Sequence, residues 1–417
     1  LHGLPKQADS RADALDVLSG FGELQVENSV LQVTLKNKAP IRIPRMDMRL
    51  RVQDRSLSVG LRAQAKTGGK PLFLVAEVDR KNYTGKLWIG APEIQLAEWL
   101  DLAPQWNPPK LYARSKLDLW ADLTQRRISR VHSRLDIKQL SFRRPAQKKL
   151  FAFGTEPALF DRISVESHWR RRADGWDLDI PAIVFESRNQ ERLVSDIRVH
   201  AGQGRWQARA AAVDVSALAA LNPALSRQLP KVHAWLRNAD LSGRFSRLKA
   251  HGDTGRNAWT ISGRAEGLGM AAIGKSPGFQ DVAGVFKADQ SGGTFKFKQS
   301  APVLVWPAAF GRNVPGKIDG AVLWWKSSAD WTVAAKDLRW QGDGMQADVD
   351  MQLQFHQDGR KPMLNVAARL APFGFDTAKR FWLRHMMPPN SIRWLDMALE
   401  KGRIRDASIV IAGDLGH

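Results

Sequence analysis

Alternation of apolar and polar residues is the feature that most constrains the fold of this chain. A period of two is typical of a β-strand that has one apolar and one polar face. In the clearest case, apolar residues occupy every odd position from 345 to 355 and polar residues every even one. A Gln-Asp-Gly turn follows at 357–359, and residues 364–370 repeat the pattern. The segment therefore predicts a β-hairpin.

The same alternation recurs along most of the chain, for example at 46–52 and 57–63. Antiparallel meanders fit these spacings better than βαβ units, so the sequence predicts a mainly-β fold with a few short helices. Pro92 suits a first helical turn. The predicted helical stretches are residues 10–18, 92–102, 215–229 and 375–399, the last broken at Pro388-Pro389.

Length and composition set broad limits. A chain of 417 residues allows two or three domains, or one long repetitive body. A shift in composition near Leu229-Pro230 predicts a division into 1–228 and 229–417, with a helical insertion at about 375–401 in the second part. No apolar run reaches the ~18–20 residues that a membrane-spanning helix needs. The start at Leu1 without Met suggests an excerpt of a longer protein.

Charge favours anionic partners. Lys and Arg number 63 against 42 Asp and Glu, a formal net charge of +21, which suits nucleic acid or anionic lipid headgroups. The absence of cysteine excludes disulfides and thiolate metal sites, and permits an oxidising compartment. Basic residues are concentrated between 126 and 172, where an ordinary solvated face is the alternative to a binding surface. The headgroup candidates in this stretch are Arg143, Arg144, Lys148, Lys149, Arg170, Arg171 and Arg172.

Motifs for catalysis are weak. Residues 269–276 match the G-x-x-x-x-G-K-[ST] phosphate loop, but Pro277-Gly278 follows at once, where a working loop opens a helix. No histidine pair has H-x-x-x-H spacing with an acidic neighbour, and no G-x-S-x-G elbow is present. We therefore expect a non-enzymatic protein with no catalytic residues, no metal site and no cofactor.

The C-terminal third carries a more specific pattern. Arg380-Phe381-Trp382 and Pro388-Pro389 precede Trp394-Leu395 and Ala398-Leu399, and Gly402 leads into a new strand. Upstream, residues 276–284 form a P-G-F-x-x-V-x-G turn. This combination resembles the YhdP branch of the AsmA-like family of bacterial envelope proteins. The resemblance covers most of the chain and is strongest at 229–413.

The resemblance implies an elongated antiparallel meander that forms a twisted apolar groove, as in bridge-like lipid transfer proteins. It implies a periplasmic segment that shields phospholipid acyl chains during transport between inner and outer membranes. The full-length protein would be anchored in the inner membrane of a Gram-negative bacterium by a part missing here. Expected partners are phospholipid, membranes through that anchor and envelope proteins, and nucleic acid is not expected.

The candidate groove lining is the apolar set of two alternating hairpins: Met46, Met48, Leu50, Val52, Leu57, Val59, Leu61, Val349, Met351, Leu353, Phe355, Leu364, Val366 and Leu370. Each of these residues could instead belong to an ordinary closed core. Two other functions stay open at this point. One is a structural scaffold that binds envelope proteins through strand edges, and the other is a nucleic-acid binder drawn by the positive charge.

Overall fold

The structure, a computed structural model, divides the chain into two units, Leu1–Gln203 (unit 1) and Gly204–His417 (unit 2). The predicted boundary between 228 and 229 lies outside the described residues and stays a prediction. The described residues are 22–34, 40–100, 102, 111–141, 159–187, 190–222, 235–236, 238–274, 276–298, 300–328, 330–356, 358–381, 387–398 and 400–414.

Unit 1 is an antiparallel meander in which each strand pairs with the next one along the chain. Its strands are β1 (Glu23–Val33), β2 (Ile41–Val52), β3 (Ser56–Gln64), β4 (Leu72–Asp79), β5 (Thr84–Gln95), β6 (Tyr112–Thr124), β7 (Arg127–Ser141), β8 (Phe160–Arg171), β9 (Trp176–Ser187) and β10 (Gln190–Gly202). One short helix, α1 (Leu96–Leu100), connects β5 to β6.

Unit 2 repeats this plan with short insertions. Its strands are β11 (Arg205–Asp214), β12 (Ser242–Asp253), β13 (Ala258–Met270), β14 (Gly278–Asp289), β15 (Gly292–Phe297), β16 (Val303–Val305), β17 (Asn313–Pro315), β18 (Lys317–Ser327), β19 (Asp330–Gly342), β20 (Met345–His356), β21 (Met363–Leu370), β22 (Phe373–Gly374), β23 (Arg403–Ile404) and β24 (Ala407–Asp414). Its helices are α2 (Val215–Ala220), α3 (Pro307–Phe310), α4 (Phe375–Arg380) and α5 (Pro389–Ala398). Strand β15 pairs with β18, and β21 with β24, so the inserted pieces lie beside the meander.

The two edges of each meander differ. In unit 1 the tight turns β2–β3, β4–β5, β6–β7 and β8–β9 lie at one edge, and α1 lies at the other. In unit 2 the turns β12–β13, β14–β15 and β18–β19 share an edge, and the helices α2, α3, α4 and α5 lie in connections at the opposite one. We call these the tight-turn edge and the helical edge.

Closed packing is concentrated at the helical edge. In unit 1 Phe160 is 0% exposed and packs against Phe185 with ring centroids 5.3 Å apart, while Leu140 opposite Phe160 is 3% exposed. In unit 2 Val314 follows α3 and is 1% exposed. Among the described residues, Phe160 and Val314 are the largest side chains buried to this degree. Within the described ranges, the middle of each sheet therefore lacks the closed core of large, fully buried side chains that a sandwich would have.

Bulges keep the apolar side chains on one face. At Asn28 in β1 and Asp337 in β19 the backbone takes a positive φ and the pairing register shifts. The freed N–H of Asn28 donates to Asp47 Oδ1 at 2.9 Å, and that of Asp337 to Asp350 Oδ1 at 2.7 Å. The Asn28 N–H bond is the main cause of a lowered pKa at Asp47. Each carboxylate thus satisfies a donor that the ladder leaves free.

The predicted mainly-β antiparallel meander with short helices is confirmed. The prediction of a helix from Pro92 is wrong, because β5 continues to Gln95 and the helix begins at Leu96. Pro92 lies where the β5–β6 register shifts between Ala91 and Ile94, and a bulge tolerates its missing N–H. The predicted helix at 10–18 lies outside the described residues. The expected break at Pro388-Pro389 is confirmed, since α5 starts at Pro389.

The phosphate-loop motif falls at the end of one strand and in the turn that leads to the next, with residues 271–274 and 276 described in the turn. Strand β13 runs to Met270, Ile273 bridges Ser276, and β14 starts at Gly278. A Cβ on Gly278 would lie 2.4 Å from Met270 O, so only glycine fits this turn. No phosphate-binding helix follows the motif. In the described part of the chain, no helix has the length and apolar character to cross a membrane.

Substitution should separate the closed helical edge from the middle of the unit 1 sheet. We expect Leu140→Ala to lower the free energy of unfolding by about 2–5 kcal/mol, since it leaves a cavity beside Phe160. Leu50→Ala, a matched change at a half-buried position, should cost no more than about 1.5 kcal/mol. Urea unfolding of both variants measures the difference. Equal losses would mean that Leu50 belongs to a closed core.

Candidate functional site

The strand register brings the predicted lining residues of unit 1 together. Met48 lies opposite Leu61, Leu50 opposite Val59, and Val52 opposite Leu57, while Met46 pairs with Ala63. Directly opposed residues in an antiparallel pair project from the same face. All seven candidates of β2 and β3 therefore share one face, which we call the apolar face of unit 1.

This face extends across every strand of the unit. An unbroken row of cross-strand neighbours, the unit 1 row, consists of Leu24, Leu50, Val59, Ala76, Leu87, Ala121, Val131, Trp169, Leu178 and Val199, one from each strand β1 to β10. Ala121 is buried and the other nine are half-buried. Leu24 was not among the predicted lining residues, although Leu24 and Val26 alternate with polar residues.

Unit 2 has an equivalent apolar face. Met351 lies opposite Val366, Leu353 opposite Leu364, Val349 opposite Ala368, and Leu370 opposite Ala347. Phe355 lies opposite Trp331 of β19 and is 42% exposed. The unit 2 row runs through Gly263, Phe286, Phe295, Val322, Ala335, Met351, Val366 and Ile411. All seven candidates of β20 and β21 are thus on one face.

Aromatic rings cover glycines on this face. Trp324 lies opposite Gly293, and a Cβ on that glycine would lie 2.4 Å from Trp324 Cζ2. Trp206 covers Gly252 in the same way, 2.7 Å from the corresponding Cβ position. Each ring lies flat over its neighbouring strand, a known means of stabilising glycine in a sheet. Apolar surface is thereby packed within a single layer.

The uncovered apolar area is large for a protein surface. Ten strands at ~4.8 Å spacing and about six residues at ~3.3 Å along each give a face of roughly 900 Å² in unit 1. Contiguous apolar patches on monomeric proteins rarely exceed a few hundred Å² and mark sites of interaction. Nine of the ten residues of the unit 1 row are half-buried, whereas the lining candidates Met46 and Val52 are 5% and 3% exposed. This face is the candidate site.

The opposite face is polar and carries ion pairs. Glu23 accepts from Arg49 at 2.5 Å and from Arg51 at 3.1 Å, and the bond from Arg49 is the main cause of its lowered pKa. Asp177 accepts from His200 at 2.8 Å and from Arg172 at 2.6 Å, and its pKa is lowered, chiefly by the His200 hydrogen bond. Because its side chains are charged and form ion pairs, this face is suited to contact with water.

Basic residues converge at the tight-turn edge of unit 1. A pocket of about 590 Å³ is lined by Lys86, Arg130, Arg170 and Arg171, among others. Arg130 lies directly opposite Arg170 of β8, a like-charge pair, and directly opposite Asp122 of β6, which also lines the pocket. Arg170 is 3.8 Å from Asp177, whereas no ion pair to Arg130 is seen among the described residues.

The predicted headgroup candidates divide by location. Arg170 lies on the polar face, because it alternates with Trp169 of the unit 1 row. Arg171 and Arg172 lie where β8 turns into β9, and Arg171 Nε donates to Ile128 O at 3.0 Å. The other four candidates lie outside the described residues: Arg143, Arg144, Lys148 and Lys149.

Comparison with known proteins identifies the family. A family model described as YhdP protein matches residues 3–417, nearly the whole chain. No curated protein and no solved structure gives a match. The YhdP family is a family of bacterial envelope proteins. Because the match extends over almost every residue, including the strands of both apolar faces, this chain belongs to the YhdP family.

Proposed function

We propose that the apolar faces hold phospholipid acyl chains and shield them from water during transfer between membranes. The observation that carries this proposal is the unit 1 row, in which apolar side chains follow one another across ten strands and nine of the ten are half-buried among the residues that the structure describes. Transfer of acyl chains into water costs about 0.8 kcal/mol per CH₂, or about 25 kcal/mol for about thirty methylenes. A continuous apolar face offsets this cost along its length.

The family supplies the setting of the proposal. A bacterial envelope protein that moves phospholipid works between inner and outer membranes, so we place this chain in the periplasm, anchored to the inner membrane through another part of the protein. The proposed role is non-enzymatic. It requires an apolar surface along which lipid can move and contact with membranes. No covalent bond is made or broken.

A second candidate is a protein scaffold that pairs through strand edges. Strand β24 pairs with β21 on one side, and on it Ile409, Val410 and Ile411 are 44%, 77% and 48% exposed. Such an edge can accept a strand from a partner. Unlike the lipid proposal, this role does not use the faces of β2, β3 and β20, so substitutions there separate the two candidates.

An aspartate on the apolar face should remove bound lipid without unfolding the protein. We expect Met351→Asp to reduce co-purifying phospholipid at least tenfold, because a carboxylate in the acyl path is poorly solvated when lipid is bound. Gln352→Asp places the same charge one residue away on the polar face and should leave lipid content unchanged. Lipid extraction with mass spectrometry measures the content, and circular dichroism measures folding.

Two results would contradict the lipid proposal. One is unfolding caused by Met351→Asp, since an aspartate in a closed core is far more costly than one on an uncovered face. The other is equal lipid content in Met351→Asp, Gln352→Asp and the unaltered protein, which would show that bound lipid does not lie on this face.

The basic pocket should attract anionic membrane surfaces. We expect the double variant Arg130→Gln and Arg170→Gln to weaken binding to liposomes that contain phosphatidylglycerol about 30-fold at low salt, at ~1 kcal/mol per basic residue. The difference should shrink at high salt. Arg209→Gln with Arg369→Gln removes the same charge from exposed positions of unit 2. Equal weakening by both pairs in liposome sedimentation would mean that net charge alone drives binding.

A further inference from the structure

Three metal-binding side chains meet on the polar face of unit 1. His132 of β7 lies directly opposite His168 of β8. Glu166 is two residues before His168 on the same strand, so its side chain projects from the same face. His132 precedes Glu166 by 34 positions, across the β7–β8 connection, and the strand register brings it beside Glu166 and His168.

The donor atoms are spaced as a metal requires. His132 Nε2 lies 2.8 Å from Glu166 Oε1, and His168 Nε2 lies 3.5 Å from the same oxygen. One ligand atom from each residue lies within 4.8 Å of the other two. A tetrahedral zinc ion with bonds of ~2.0–2.1 Å holds its ligand atoms about 3.3 Å apart. Because the two imidazole planes are nearly parallel, at 12°, the rings must rotate out of their stack for both Nε2 atoms to bind one ion with Glu166.

We propose that His132, Glu166 and His168 form a binding site for a divalent transition metal of the zinc class. Two imidazoles and one carboxylate match the ligand set of three-residue zinc sites, in which water takes the fourth position. Two nitrogen ligands disfavour magnesium and calcium, which select oxygen ligands. A bound ion would clamp β7 to β8 on the face opposite the unit 1 row.

Both imidazoles belong to an aromatic stack that begins at Trp120. Trp120 stacks on the His132 ring with centroids 5.1 Å apart, and the His132 and His168 rings stack at 4.5 Å. Arg134 Nε lies 3.5 Å from Glu166 Oε2 and competes for its charge, but Oε1 is the atom that faces both histidines.

Zinc titration of the full chain tests this site. We expect isothermal titration with ZnCl₂ at pH 7.4 to show one ion bound at this site, and His132→Ala, His168→Ala and Glu166→Gln each to weaken that binding at least tenfold. His251→Ala is the matched control, because His251 is exposed and belongs to no three-donor group among the described residues. Met351→Asp should bind zinc as the unaltered chain does, which separates this site from the lipid proposal.

Zinc titration can refute the proposed site in several ways. The site would be overturned if the chain bound no zinc, or if His251→Ala weakened binding as much as His132→Ala does. Glu166→Gln keeps size and polarity at a half-buried position, so it tests the site even if a histidine variant fails to fold. Zinc affinity unchanged by Glu166→Gln, His132→Ala and His168→Ala together would equally refute the proposal.

Discussion

The structure depends on the antiparallel hydrogen-bond ladder and its register. A strand inside a sheet satisfies its backbone N–H and C=O groups through its two neighbours, so it needs no second layer for hydrogen bonding. Burial of apolar side chains is a separate requirement, and the ladder alone meets it only in part. Residues such as Leu50 and Met351 pack against cross-strand neighbours and remain half-buried. The backbone hydrogen bonds of such a sheet are therefore satisfied, while the apolar side chains on one face remain partly exposed to solvent.

Alternation in the sequence was sufficient to predict the strands, and register was needed to assign the faces. The pairs β2–β3 and β20–β21 follow from a strict period of two. In β19 the bulge at Asp337 shifts the phase, so Leu338 continues the face of Ala335, and a fixed period would place it on the other side. The helix predicted from Pro92 failed because a bulge and a helix start tolerate the same missing N–H. His132 and Glu166 were missed because they are brought together by pairing between strands, and no short spacing marks them.

The two faces of each sheet separate two kinds of chemistry. One face presents side chains such as Val59 and Trp169, which suit acyl chains, and the other presents Arg170 and Glu166, which remain solvated. A charge on the polar face does not disturb the apolar row, because neighbouring residues project from opposite sides. The tight-turn edge carries Arg171 beside that row, where a headgroup of a lipid lying on the apolar face would emerge. Substitutions can therefore test the proposed lipid binding and the proposed membrane attraction independently.

Photo-crosslinking along β20 is the most direct test of whether phospholipid lies on one face of the sheet. A p-benzoylphenylalanine placed in turn at each position from 349 to 354, within the protein in cells, reports which face meets lipid. If lipid lies on the apolar face, we expect phospholipid adducts at Val349, Met351 and Leu353. We expect none at Asp350, Gln352 and Gln354, because the strand projects these residues from the opposite face. Adducts at all six positions, or at none, would contradict the account, since neither result follows from lipid bound along one face of the sheet.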